Sequence, residues 1–223
     1  MSTATTTLKK PIAILGGTFD PIHNGHLRLA VQMRDHLGLE RMLLVPSARP
    51  PHRRVPGATP GQRAKWIRVA TAGEPGLDLD DRELIRPGLS YTVDTLQSLR
   101  TDMPDTPLCL VMGNDVLAQI DSWHRWEELL DFAHIVTVLR PGFEDTLPDA
   151  VAAWVAQHHS RELDDLSTSL AGKIYHADLP LLDISGTRIR NFIANQHSPR
   201  YLLPEDVLRD INDLGIYRQS NES

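Results

Sequence analysis

Five short apolar runs, each closed by turn residues and separated by stretches of helical spacing, restrict this chain more than anything else in its sequence. They are Pro11–Gly16, Met42–Val45, Leu108–Met112, Ile135–Leu139 and Gly172–His176. Runs of this length without polar alternation read as strands buried on both faces. Between them, His26–Leu37 spaces Leu27, Ala30, Val31 and Leu37 as a helix would, and Gln62–Ala72 puts Trp66, Val69 and Ala70 on one face. Tyr91–Arg100 repeats the pattern with Val93, Leu96 and Leu99 behind an N-cap expected at Ser90. Further helices are expected over Trp123–Phe132 (Trp126, Leu129 and Leu130 inward), Pro148–His159, Ser185–Asn195 and Pro204–Leu214, the last with proline at its first position. Strands alternating with helices demand a parallel sheet covered on both faces, an α/β fold. In such a sheet a ligand lies outside the carboxyl ends of the strands where their order reverses. The segments following Pro11–Gly16 and Leu108–Met112 are therefore where function is expected.

Composition narrows the classes that remain. The 223 residues suit one domain, here residues 11–218 behind a polar tail of residues 1–10. With 29 acidic residues against 23 Lys and Arg, the net charge of −6 opposes a partner held through nucleic-acid phosphates, though a local basic pocket could hold a smaller anion. A single cysteine, Cys109, excludes an internal disulfide and a multi-thiolate metal site, fits a small core residue, and points to a reducing, cytoplasmic setting. The polar start lacks the apolar core of a secretory signal. The longest unbroken apolar run, Ala150–Ala156, is far short of the ~20 residues of a membrane span, so no membrane partner is expected.

After the first strand stands Gly16-Gly17-Thr18-Phe19-Asp20-Pro21-Ile22-His23-Asn24-Gly25-His26. Two glycines let a phosphate approach the backbone, and a helix beginning near Asn24 points amides and a positive dipole end the same way. His23 and His26, three apart, share one face of that first turn and can donate to phosphate oxygens. Two histidines without an acid or thiol make a poor zinc set, so no protein-held metal is expected. Asp20-Pro21 reads as turn chemistry leading into the helix. Ser185 opens a later helix as a second anion site, and Arg190, on the face of Thr187, can lean back toward it. Arg188 falls on another face as a solvated charge. At the end of the Leu108–Met112 strand, Asp115 is placed either to accept hydrogen bonds from a ribose or to cap a helix. Ser90-Tyr91-Thr92 offers N–H donors at a helix start. A nicotinamide-dinucleotide dehydrogenase would carry Gly-x-Gly-x-x-Gly after strand one and an acid ~20 residues on, and neither is present.

The glycine and histidine segment is similar to the signature of the nucleotidyltransferases that carry the HxGH motif. From about Ile12 to Arg218 the chain resembles the nicotinate-nucleotide adenylyltransferases of bacterial NAD synthesis. Agreement extends in order through Pro50-Pro51-His52-Arg53, Ser90-Tyr91-Thr92, Gly113-Asn114-Asp115, Ser122-Trp123, Arg140-Pro141-Gly142 and Ile184-Ser185-Gly186-Thr187-Arg188-Ile189-Arg190. The resemblance implies a Rossmann-like, doubly wound sheet ending in a helical segment. It implies transfer of the adenylyl group of ATP to nicotinate mononucleotide by direct in-line attack, with Mg²⁺ carried by the ATP phosphates. His23, His26 and Arg190 would be catalytic, with Gly16, Gly17, Thr18, Phe19, Gly113, Asp115, Ser185 and Thr187 around ATP. His52, Arg53, Ser90, Tyr91, Thr92, Trp123, His124 and Arg140 would surround the mononucleotide, the backbone at Thr92 and His124 meeting its carboxylate. Three positions depart from the family pattern: Ser47-Ala48 where asparagine is frequent, Gly186 in place of a serine, and His124 in place of another aromatic.

Overall fold

A computed structural model describes residues 8–48, 56–139 and 146–218. The five expected strands are present with ends moved by one or two residues: β1 (Ile12–Gly17), β2 (Arg41–Pro46), β4 (Leu108–Gly113), β5 (His134–Val138) and β7 (Ile174–Ala177). Two more, β3 (Leu77–Leu79) and β6 (His159–Ser160), lie at the sheet edges and are too short to leave a periodicity in the sequence. All pairings are parallel, in the order β3-β2-β1-β4-β5-β7-β6. The order reverses between β1 and β4, so the crevice expected from the sequence opens at the ends of these two strands.

The helices described are α1 (Asn24–His36), α2 (Pro60–Thr71), α3 (Arg82–Ile85), α4 (Thr92–Asp102) and α5 (Asn114–Leu117). They continue with α6 (Leu129–Phe132), α7 (Asp149–His158), α8 (Asp165–Thr168), α9 (Gly186–Ala194) and α10 (Glu205–Leu214). Alternate residues of each strand feed opposite layers. Ala13, Leu15, Met42, Leu44, Val111 and Val136 face α1, α2, α9 and α10, which bring Met33, Trp66, Ile189 and Ile211. Ile12, Ile14, Leu43, Leu110 and Ile135 face α4, α6 and α7, which bring Leu96, Leu129 and Val151. Helices on both faces make this a doubly wound Rossmann-like sheet. Cys109 is buried in β4, where burial pushes its thiol up to about 12 and leaves it unreactive near neutral pH.

Several local expectations are overturned. Trp123–Phe132 is not one helix: Trp123 is extended between 3₁₀ turns at Ile120–Ser122 and Trp126–Glu128, and Arg125 has a left-handed φ of 53°. Side-chain bonds hold this kink, because Arg125 reaches Glu128 at 2.8 Å and Asp94 of α4 at 3.7 Å. Ser90 is not the N-cap of α4; Tyr91 is, without a side-chain hydrogen bond. On α2 the residues buried with Trp66 include Arg63, Ala64 and Ile67, whereas Val69 is exposed. Pro204 caps α10 from outside it.

His134 gives the fold a defined acid sensitivity. It is buried, with Nε2 2.9 Å from the Ser169 carbonyl and Nδ1 accepting the Lys173 N–H at 3.2 Å, so only the neutral ring satisfies both neighbours. Burial, with smaller contributions from Arg100 and Lys173, holds its pKa below the usual value. As pH falls through ~6.5 the unfolded chain takes up a proton that the folded chain refuses, so stability is full above that pH and declines below it. The melting temperature of the wild type is expected to fall more steeply between about pH 7.5 and 5.5 than that of His134→Asn. Calorimetric melts with parallel slopes would remove His134 from the effect.

Candidate active site

β1 ends in Gly16-Gly17, and the chain turns through Thr18 and Phe19 into a cis Asp20-Pro21 bond. Gly17 lets Phe19 pack closely: a Cβ there would stand 3.1 Å from Cζ of Phe19, so the buried ring would have to give by a few tenths of an ångström. The same ring meets His26 edge-on at 4.9 Å between centroids, so Phe19 supports that imidazole from the protein side. His23 is the N-cap of α1 and nearly buried, and its ring stacks on His26 at 3.7 Å.

The amides of α1 contribute less than its sequence suggests. Asn24 N–H donates to the Leu202 carbonyl at 2.9 Å and His26 N–H to the His23 carbonyl at 3.0 Å, so the imidazoles are the main donors here. At α9 the expected cap is present: Ser185 Oγ accepts from Arg188 N–H at 3.2 Å and keeps its own proton to donate outward. The amides of Gly186 and Thr187 lead this helix, where no intrahelical acceptor exists. Arg190 leans back over the same turn, donating to Thr187 Oγ1 at 3.0 Å and to the Asp20 carbonyl at 2.6 Å. Arg188 is solvated, as expected, beside Asp183 and the Phe192 ring.

The two helix starts meet. A Cβ on Gly25 would lie 3.4 Å from Cβ of Ile184, and one on Gly186 would lie 3.1 Å from the carbonyl oxygen of Asp20. Asp20 is the knot beneath them: its buried carboxylate accepts Gly57 N–H at 2.9 Å, Ala58 N–H at 3.0 Å and the Tyr217 hydroxyl, and its Oδ2 is 3.8 Å from Arg190. Burial, and then the bond to Asp20, hold the Tyr217 hydroxyl protonated far above the usual range.

Arg63 was missed by sequence reasoning, because a charged residue on an amphipathic helix is assigned to solvent. Fully buried, it donates at 2.7 Å to both the Thr18 and Ser47 carbonyls and clamps the ends of β1 and β2 together. Burial lowers its pKa and nearby Asp20 opposes this. At the end of β4 the N-cap is Gly113, which removes the capping alternative for Asp115 in the first turn of α5.

On the other side of the crevice, α4 begins at Thr92, and Tyr91 packs on His124 at 4.4 Å between centroids. Trp123 is partly buried against the second core layer. The Ser90 hydroxyl oxygen accepts Ala48 N–H at 3.1 Å, so it faces the β2 loop rather than capping α4. His52, Arg53 and Arg140 lie outside the described residues. Among the described residues no three His, Cys, Asp or Glu side chains converge to hold a metal.

Residues 14–192 match the cytidylyltransferase-like family model. A protein of Aeromonas salmonicida named as a probable nicotinate-nucleotide adenylyltransferase is 48% identical over 95% of this chain and 99% of its own length. One of that name from Marinobacter nauticus is 48% identical over 92% and 95%. The chain belongs to the nicotinate-nucleotide adenylyltransferase family. The solved nicotinic acid mononucleotide adenylyltransferase of Plasmodium falciparum, complexed with NaAD, shares the fold at a TM-score of 0.72 and 16% identity, covering 94% of this chain and 98% of that one. As a nicotinate-nucleotide adenylyltransferase, the chain brings together paired imidazoles, a guanidinium and an open helix start at the strand reversal. Such a set can hold a polyphosphate and stabilise negative charge on it without a carboxylate base.

Proposed function

We propose that this protein transfers the adenylyl group of ATP to the 5′-phosphate of nicotinate mononucleotide, releasing pyrophosphate and forming nicotinate adenine dinucleotide. The observation that carries this reading is the meeting of the α1 and α9 starts, with His23, His26 and Arg190, at the strand reversal. The attacking phosphate oxygen is ionised at neutral pH, so the protein needs only to aim it and to neutralise charge at the α-phosphorus. His23 and His26 donate to the phosphoryl oxygens there, and Ser185, Thr187 and Arg190 hold the outer phosphates. Gly16, Gly17 and Thr18 give the nucleotide close approach to the backbone, with Phe19 as support. Gly113 and Asp115 receive the adenosine ribose.

Thr92 and His124 meet the nicotinate carboxylate through their backbone, Trp123 and Tyr91 flank the ring, and Ser90 orders the loop. His52, Arg53 and Arg140 add charge on the mononucleotide side. A donor set of imidazoles, guanidinium and hydroxyls suits phosphate rather than Mg²⁺, which prefers oxygen ligands and its own waters and here accompanies the ATP phosphates. One domain over residues 11–218, acting in the cytoplasm, completes the proposal. Pyrophosphate release is the test: nicotinate mononucleotide plus ATP is expected to be turned over far faster than the amide mononucleotide, and no release with the acid would refute the reading. Arg190→Ala is expected to weaken ATP binding by about 10–100-fold, the range for charge-assisted hydrogen bonds. An unaltered dissociation constant by titration calorimetry would take Arg190 out of the site.

A further inference from the structure

Glu83 of the short helix α3 is a carboxylate only 8% exposed, set behind the start of α4. Thr95 Oγ1 donates to its Oε1 at 2.7 Å, the Ser90 hydroxyl donates to it too, and Arg86 Nη2 donates to Thr95 Oγ1 at 2.6 Å. Burial pushes the pKa of Glu83 up, and the two hydroxyls and the nearby Arg86 oppose that push. Ser90 Oγ in turn accepts Ala48 N–H, and the neighbouring Ser47 N–H donates to the Gly17 carbonyl at 2.9 Å. A hydrogen-bonded line therefore runs from the phosphate-side turn after β1, through residues 47 and 48, to the start of α4.

Ser90 is the residue type that ordinarily folds onto a helix start and satisfies its amides. Here its hydroxyl is committed on both sides, donating to Glu83 and accepting from Ala48, while the actual N-cap, Tyr91, supplies no side-chain acceptor. Among the described residues the N-cap of this eleven-residue helix thus provides no side-chain cap to its leading amides, whose positive end faces outward. We propose that Glu83 is a positioning residue for the mononucleotide half of the site. By holding Ser90 away from the α4 start it keeps the Thr92 and Val93 amides open to the nicotinate carboxylate, and through Ala48 it fixes them relative to the ATP half. The inference rests on the assignment of α4 to nicotinate mononucleotide. Glu83 touches no substrate.

The test is steady-state kinetics of the full-length enzyme by pyrophosphate release, with ATP and either the acid or the amide mononucleotide. Glu83→Ala is expected to raise KM for nicotinate mononucleotide by about tenfold or more, the scale of a broken buried hydrogen-bond set, and to leave KM for ATP within about twofold. The acid-to-amide ratio of kcat/KM should fall with it. Because Glu83 acts through Ser90, the Glu83→Ala/Ser90→Ala double variant should be no worse than the more severe single one. Glu83→Gln keeps the volume and one acceptor for Thr95, so it is expected to show the same split in weaker form and carries the test where Glu83→Ala does not fold. Equal rises in both KM values, or additive single effects, would overturn the positioning role. A wild-type acid-to-amide ratio near one would instead sink the α4 assignment, and the inference with it.

Discussion

Replacing His26 by alanine is expected to lower kcat by ~10²–10³-fold, the range for removing one preorganised donor to a developing charge, with little change in the KM of either substrate. The geometry explains the size. His26 is held by the edge of Phe19 on one side and the face of His23 on the other, so its direction is fixed before substrate arrives. Attack by an already ionised phosphate needs no carboxylate base, which leaves charge stabilisation as the main lever. His26→Gln retains a donor and should recover part of the loss. Unchanged kcat in a folded His26→Ala variant would exclude the imidazole from the reaction.

The second large effect is on stability. Asp20→Ala is expected to cost about 3–5 kcal/mol, because it strips the acceptor from the buried Ala58 amide, the Gly57 amide and the part-buried Tyr217 hydroxyl and leaves Arg63 and Arg190 without their neighbouring carboxylate. For a chain of this length that corresponds to a melting temperature lower by on the order of 10 °C. Activity should suffer beyond the loss of folded protein, since the same carboxylate ties the turn before α1 to the C-terminal Tyr217 and lies beside Arg190 of α9. A melting temperature within about 2 °C of wild type would show that the knot is not structural.

Some of this was legible in the sequence and some was not, for reasons that can be named. β1, β2, β4, β5 and β7 announce themselves because strands buried on both faces are continuous apolar runs. The positions of Gly16-Gly17, the paired histidines and Ser185 were legible because local backbone chemistry places such residues at strand and helix ends. Arg63 and Glu83 were not, since a charge reads as solvent until the fold surrounds it with partners such as the Thr18 and Ser47 carbonyls or the Ser90 and Thr95 hydroxyls. The bond between Asp20 and Tyr217 joins residues at opposite ends of the chain, and no local pattern encodes it. Arg125 broke an otherwise good helical stripe by taking a left-handed backbone held by Asp94 and Glu128, a tertiary outcome that overrides periodicity.

A crystal structure of the enzyme soaked with a non-hydrolysable ATP analogue tests the shared grip on the triphosphate most directly. Phosphate oxygens are expected within about 3.2 Å of ring nitrogens of His23 and His26 on one side and of Arg190 and the α9 amides on the other. A triphosphate bound elsewhere, or contacting one helix start without the other, would contradict the account.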